Sequence, residues 1–298
     1  MKTSFTYIIV VSLVFTACKK EAVPFHLGEV DPTTYVAIGS NATAGYADDA
    51  LHYDAQLNNY ANIIAQQFSQ NGEIVFTQAL MDANANGINL NDQGQLMLSY
   101  KTDCKDTTSL SPVRIAEIGN TAAWNDQYND LNNLGVPKLN ILQLKEVGLA
   151  NSNPYFARMT ADPNNASVLS EALAKNPTFY TIMLGDADIM EYATSGGTIG
   201  PITPAYGLDG IGFEGTLNAA INDLSANGAK GAIANIPDLL EHPYFTTIPY
   251  NGLTLDSANV ESMNAVFNPI GLTFEEGDNP FTIECDCNPP YNVRKMVE

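Results

Sequence analysis

The residue types that could do chemistry gather just after short apolar runs. Ser40 and Asn41 follow Tyr35-Val36-Ala37-Ile38-Gly39, and Asp186 and Asp188 follow Phe179-Tyr180-Thr181-Ile182-Met183-Leu184-Gly185. Asp238, Glu241 and His242 follow Gly231-Ala232-Ile233-Ala234-Asn235-Ile236-Pro237. A serine is a weak nucleophile until a histidine takes its proton, and that histidine needs a carboxylate to orient it. Ser40, His242 and either Asp238 or Glu241 are the components of such a triad, which would serve ester hydrolysis or acyl transfer. His26 lies ahead of the first run and His52 near the first helix, and both read as solvated. Lys138, after Asn133-Leu134-Gly135-Val136-Pro137, could hold an anion or simply stand exposed.

For these residues to meet, the runs that precede them must be neighbouring strands. Continuous apolar runs closed by glycine predict strands covered on both faces. Between them, Leu57, Tyr60, Ala61, Ile64, Ala65 and Phe68 recur at helical spacing, with a stop at Asn71-Gly72. Leu217, Ala220, Ile221 and Leu224 mark another helix ended by Asn227-Gly228, and residues Ala258 to Phe267 one more before Pro269. Strands alternating with helices imply right-handed crossovers and a parallel sheet. Ligands of such sheets sit beyond the carboxyl ends of the strands, at the loops that open after Gly39, Gly185 and Pro237.

The 298 residues carry 13 Lys+Arg against 33 Asp+Glu, a net charge of −20. That field repels polyanions, so nucleic acid is excluded as a partner. An apolar share of 45% excludes disorder, because it can bury enough surface to offset chain entropy. No cofactor motif stands out and no metal is expected. Cys285-Asp286-Cys287 is too tight for a zinc knuckle, and Cys104 could pair with Cys285 or Cys287 outside the cytoplasm. Asp82, Asn84, Asn86 and Gly87 match the start of a calcium loop, but Gln93 stands where a bidentate glutamate belongs, so the stretch reads as a solvated loop.

Two resemblances sharpen this reading. Lys2, the apolar stretch Tyr7 to Phe15, and Leu13-Val14-Phe15-Thr16-Ala17-Cys18 resemble the leader and lipobox of bacterial lipoproteins. The resemblance implies a signal peptide over 1–17, lipidation of Cys18, a tether over 18–31, and anchoring to a bacterial membrane, the outer membrane's periplasmic or surface face. Gly39-Ser40-Asn41-Ala42-Thr43-Ala44-Gly45 resembles the first block of the SGNH, or GDSL, esterase and lipase superfamily. Asn133-Leu134-Gly135-Val136-Pro137-Lys138 and Gly185-Asp186-Ala187-Asp188 resemble its second and third.

This likeness implies an α/β fold over 32–298, a three-layer α/β/α sandwich around a mainly parallel, flavodoxin-like sheet. It also implies a degenerate site. The family's serine falls on Asn41, its oxyanion glycine on Lys138 and its oxyanion asparagine on Ala187, with Asp188 beside it. The family's Asp-x-x-His pair is expected to be absent from the whole chain, and relatives continue with a segment that bears one, so the domain is expected to lack its last strand. Two functions follow: a membrane-anchored pseudoenzyme that holds an acyl-ester or glycan ligand, or a residual carboxylesterase acting through Ser40.

Overall fold

The computed structural model describes residues 27–72, 74–103, 106–116, 119–121, 128–195, 197, 202–285, 289–290 and 292–296. The leader 1–17, Cys18, the tether as far as 26, Cys104 and Cys287 lie outside the described residues. The chain divides into two compact units, one running through Asn235 and the other Ile236–Glu298.

The first unit begins with β1 (Tyr35–Gly39), the one-turn helix α1 (Asn41–Ala44) and a small hairpin of β2 (Tyr46–Ala47) and β3 (Ala50–Leu51). Helices α2 (Tyr53–Leu57) and α3 (Tyr60–Phe68) follow. The spacing predicted one helix here, but the Asn59 side chain accepts from the Asn62 N–H at 2.7 Å and starts a new helix at Tyr60. An asparagine satisfies the orphan donors of a helix start better than it satisfies a helix interior, so the local bond wins. Next come β4 (Leu96–Thr102), β5 (Thr108–Arg114), β6 (Asn133–Gly135), α4 (Pro154–Ala157) and α5 (Val168–Ala174). The unit closes with β7 (Phe179–Met183), α6 (Asp186–Thr194), α7 (Phe213–Ser225) and β8 (Lys230–Ile233).

Four of these strands form one sheet in the order β6-β1-β7-β8, and every pairing in it is parallel. Alternation along β1 sorts its side chains to two faces. Tyr35 and Ala37 pack with Phe179, Ala61 and Ala65, so α3 covers one face. Val36 and Ile38 join Leu134, Ile182, Val168, Ala172, Ala220 and Leu224, so α5 and α7 cover the other. Tyr35 stacks on Phe76 at 5.0 Å and meets the edge of Phe68, and its hydroxyl shares a hydrogen bond with Thr181 Oγ1 at 2.9 Å. The buried phenol is therefore satisfied. β8 pairs with β7, yet all four of its residues are exposed.

The second unit contains α8 (Pro243–Thr246), β9 (Leu253–Leu255), α9 (Ser257–Phe267), β10 (Gly277–Asn279), β11 (Thr282–Glu284) and β12 (Val293–Lys295). Its pairings are antiparallel, β9 with β10 and β11 with β12. Asp256 caps α9, and Asn264 both donates to Phe274 O and accepts from its N–H, fixing the buried Phe274 ring. Cys285 is disulfide-bonded.

Candidate functional site

Ser40, Asn41, Lys138, Asp186, Ala187 and Asp188 all lie just past the carboxyl ends of β1, β6 and β7. The sheet order reverses between β6-β1 and β7-β8, so this is the edge where a crevice opens in a parallel α/β sheet. Backbone bonds tie the strand exits together: Ser40 N–H donates to Met183 O at 3.1 Å, and Val136 N–H to Gly39 O at 2.9 Å. Two glycines let α1 sit close against the strands. A Cβ on Gly39 would stand 2.1 Å from Thr43 Oγ1, and one on Gly135 would stand 2.3 Å from Ala44 N.

That close seating turns the Asn41 side chain towards β6. Its Oδ1 accepts from the Lys138 N–H at 2.9 Å, while the Lys138 side chain is exposed. Lys138 has φ +61°, a left-handed conformation that glycine adopts more readily. The left-handed turn aims the Lys138 N–H at the side chain of residue 41.

Ser40 points the other way, as expected for adjacent residues leaving a strand. It is 1% exposed, and its Oγ makes no hydrogen bond of normal length among the described residues. The group it faces is the Asp186 carboxyl in the first turn of α6. Burial pushes that carboxyl above the usual range, outweighing the N–H groups of Ala187 and Asp186 and the Ser40 hydroxyl, and Asp188 adds to the rise. Asp188 is itself raised by burial against hydrogen bonds from Thr203 and the Ile141 N–H. It receives Ile141 N–H on both oxygens, at 3.0 and 3.1 Å, and so fastens α6 to the loop after β6.

The sign of the Asp186 effect follows from linkage. Its native pKa lies above the 3.8 of an unperturbed aspartate, so its stabilising contribution is complete below that pH and is lost as pH rises through the raised native value. Asp186→Asn is expected to melt higher than the parent at pH 7, with the gap closing as the pH falls towards 3.8. Thermal melts across that window check this, and a gap independent of pH would count against it.

Asp238 and His242 belong to the second unit, where both are exposed. His242 caps α8, its Nδ1 accepting from the Tyr244 N–H at 3.2 Å. A triad histidine presents Nδ1–H to a carboxylate, so this tautomer is the wrong one for a serine's base. The Asp-x-x-His spacing expected to be absent from the whole chain does occur, in Asp49-Ala50-Leu51-His52. His52, read from the sequence as solvated, is 9% exposed; its Nδ1 faces Ala55 N–H at 3.4 Å and its Nε2 lies 3.5 Å from Asp48. Asp49 instead binds Arg114 at 2.8 Å, Tyr46 at 3.0 Å and Asn89 at 3.1 Å. In the loop that resembles a calcium site, Asp82 Oδ1 accepts from Asn84 N–H at 2.9 Å, an ordinary Asx turn.

The parallel sheet and its flanking helices define an α/β protein, with Ser40, Asn41, Lys138, Asp186 and Asp188 gathered past three strand ends. No family model matches the chain, nor does any curated protein or solved structure.

Proposed function

We propose that the chain is a degenerate homologue of the SGNH/GDSL ester hydrolases, a lipid-anchored bacterial protein that keeps the family's crevice without its hydrolytic chemistry. The single observation that carries this reading is the Asn41 to Lys138 contact. In the family pattern, residue 41 is the nucleophile and residue 138 supplies an oxyanion N–H. Here the two positions meet at 2.9 Å, and the N–H is occupied by the carboxamide oxygen of Asn41. An amide cannot form an acyl-enzyme, and Ala187 offers no donor where the asparagine would stand. The order β6-β1-β7-β8 supports the finer architecture, since it is the flavodoxin-like order 2-1-3-4-5 through its fourth strand, with helices packed on both faces. The ligand class that suits such a crevice is an acyl ester or a glycan, bound and not cleaved.

The alternative, hydrolysis through Ser40, has the geometry against it. Its hydroxyl is sealed from solvent, and the group it faces is the Asp186 carboxyl, where a triad would place an imidazole. The purified full chain is expected to hydrolyse a short-chain nitrophenyl ester no faster than buffer, and a fluorophosphonate is expected to leave Ser40 unmodified. Turnover that disappears in Ser40→Ala would overturn this function in favour of a residual carboxylesterase.

A further inference from the structure

The hairpin β4–β5 makes no use of its better face. Its register pairs Leu98 with Pro112, Tyr100 with Leu110 and Thr102 with Thr108, which puts these six residues on one side. Leu98 is 67% exposed, Tyr100 77% and Leu110 57%. The opposite side carries Ser99, Lys101, Ser109 and Ser111 along its outer part, with the Met97 and Val113 pair towards the base. The arm is thus amphipathic, with an apolar face that bears no charge beyond Arg114 at its base, where Arg114 pairs with Asp49 at 2.8 Å. Strands of seven residues reach about 23 Å from that base.

From these features we infer that the Leu98, Tyr100 and Leu110 face of the arm lies on a phospholipid bilayer surface.

Three observations select this occupant. Strand addition along the arm's edge is blunted by Pro112, which has no N–H, and by Lys101. Face-to-face packing with a second copy is too small: two strands about 4.8 Å apart and about 23 Å long outline roughly 220 Å². Even doubled for side-chain relief, that falls short of the ~800 Å² per partner of a standard stable interface. A bilayer needs no matching patch, since transfer of a few large apolar side chains from water suffices to hold a surface element.

The arm itself is not acidic, unlike the chain as a whole with its net charge of −20: within 96–114, Lys101, Lys105 and Arg114, the last paired with Asp49, stand against Asp103 and Asp106. The arm's reach of about 23 Å exceeds the ~8 Å over which salt screens the acidic body. Tyr100 adds an apolar ring with a polar tip, the side chain suited to the headgroup level. Among the described residues no helix is long and apolar enough to cross a membrane, so the contact is one of lying on the surface. It is independent of any ester chemistry.

The test places a photo-crosslinking phenylalanine at Leu98 or at Leu110, with Ser99 on the opposite face as control, in the full chain. The protein is mixed with vesicles of phosphatidylethanolamine and phosphatidylglycerol and irradiated. The expected result is lipid adducts at positions 98 and 110 and about tenfold fewer at 99. A Leu98→Glu, Leu110→Glu variant, altered only at exposed positions, should melt at the parent temperature yet lose the labelling of a crosslinker placed at Tyr100. Equal lipid labelling on both faces, adducts to a second copy of the chain, or no adduct at all would each overturn the inference.

Discussion

Replacing Gly135 by alanine is expected to cost about 3 kcal/mol of stability, at the upper end of what overpacking a tight site does. The new Cβ would stand 2.3 Å from Ala44 N, 2.5 Å from Thr43 C and 2.7 Å from Ala44 Cα. All three are backbone atoms of α1, so no side-chain rotation relieves the contact and the helix itself must move off β6. Its left neighbour in the crevice moves with it: Asn41 begins α1, and its contact with the Lys138 N–H depends on where that helix sits. Urea denaturation checks the stability, and hydrogen exchange at the Lys138 amide checks the site. A loss below about 1 kcal/mol would show that α1 yields easily, and the account of how Asn41 is held would fail.

Arg158→Met is expected to cost a similar amount, about 3 kcal/mol, for a different reason. Arg158 is 4% exposed; its Nη1 donates to Ala79 O at 2.6 Å and its Nη2 to Leu80 O at 2.9 Å. Burial draws its pKa down to about 10, partly offset by Tyr155, so it remains charged at neutral pH. Gln56 binds the same segment, its Nε2 donating to Ala79 O at 3.0 Å and its Oε1 accepting from Met81 N–H at 2.6 Å. Methionine conserves much of the volume but strips the carbonyls of a charged donor in a site water does not reach. Arg158→Lys should fall between parent and Met, because an ammonium can serve one carbonyl well but lacks the fork that spans both. Denaturant midpoints for the three proteins give the ranking, and a Met variant as stable as the parent would remove Arg158 from the list of structural anchors.

The strands β1, β7 and β8 were legible as continuous apolar runs closed by glycine or proline, and α3 and α7 by their helical spacing, whereas α5 and α6 were not. β6 was not legible as a strand. It is three residues long, and its Asn133 is buried only because its amide donates to Thr43 O and Gln78 Oε1, both at 2.8 Å. No local pattern announces partners so distant in sequence. The arm escaped notice for the opposite reason: its strands are defined by each other and by no core, and Pro112 argues against a strand when read alone. At the site, Ser40, Asn41, Lys138 and Asp188 were picked out by their places after the runs, and the structure gathers them at one sheet edge. What residue types could not reveal was the left-handed turn at Lys138, which keeps an N–H aimed at residue 41 despite an unsuitable side chain. Nor could they reveal that Ser40 is sealed, since its burial comes from a helix that closes over it, built on residues nearly 150 positions away.

The two-residue turn between β2 and β3 places both Asp48 and Asp49 at φ +53°, where Asn-Gly would be conformationally easier. Its second carboxylate grips Arg114, and burial, which would raise its pKa, is outweighed by hydrogen bonds from Arg114, Tyr46 and Asn89, so it stays ionised below the ordinary carboxylate range. The turn is therefore one of several fastenings at the foot of the arm: Leu96 N–H donates to Asp48 O at 2.8 Å, and the Arg114 guanidinium spans Asp49 and Gly94 O. A substitution at Asp49, far from Tyr100 in the chain, would remove one of those fastenings without touching the arm's apolar face.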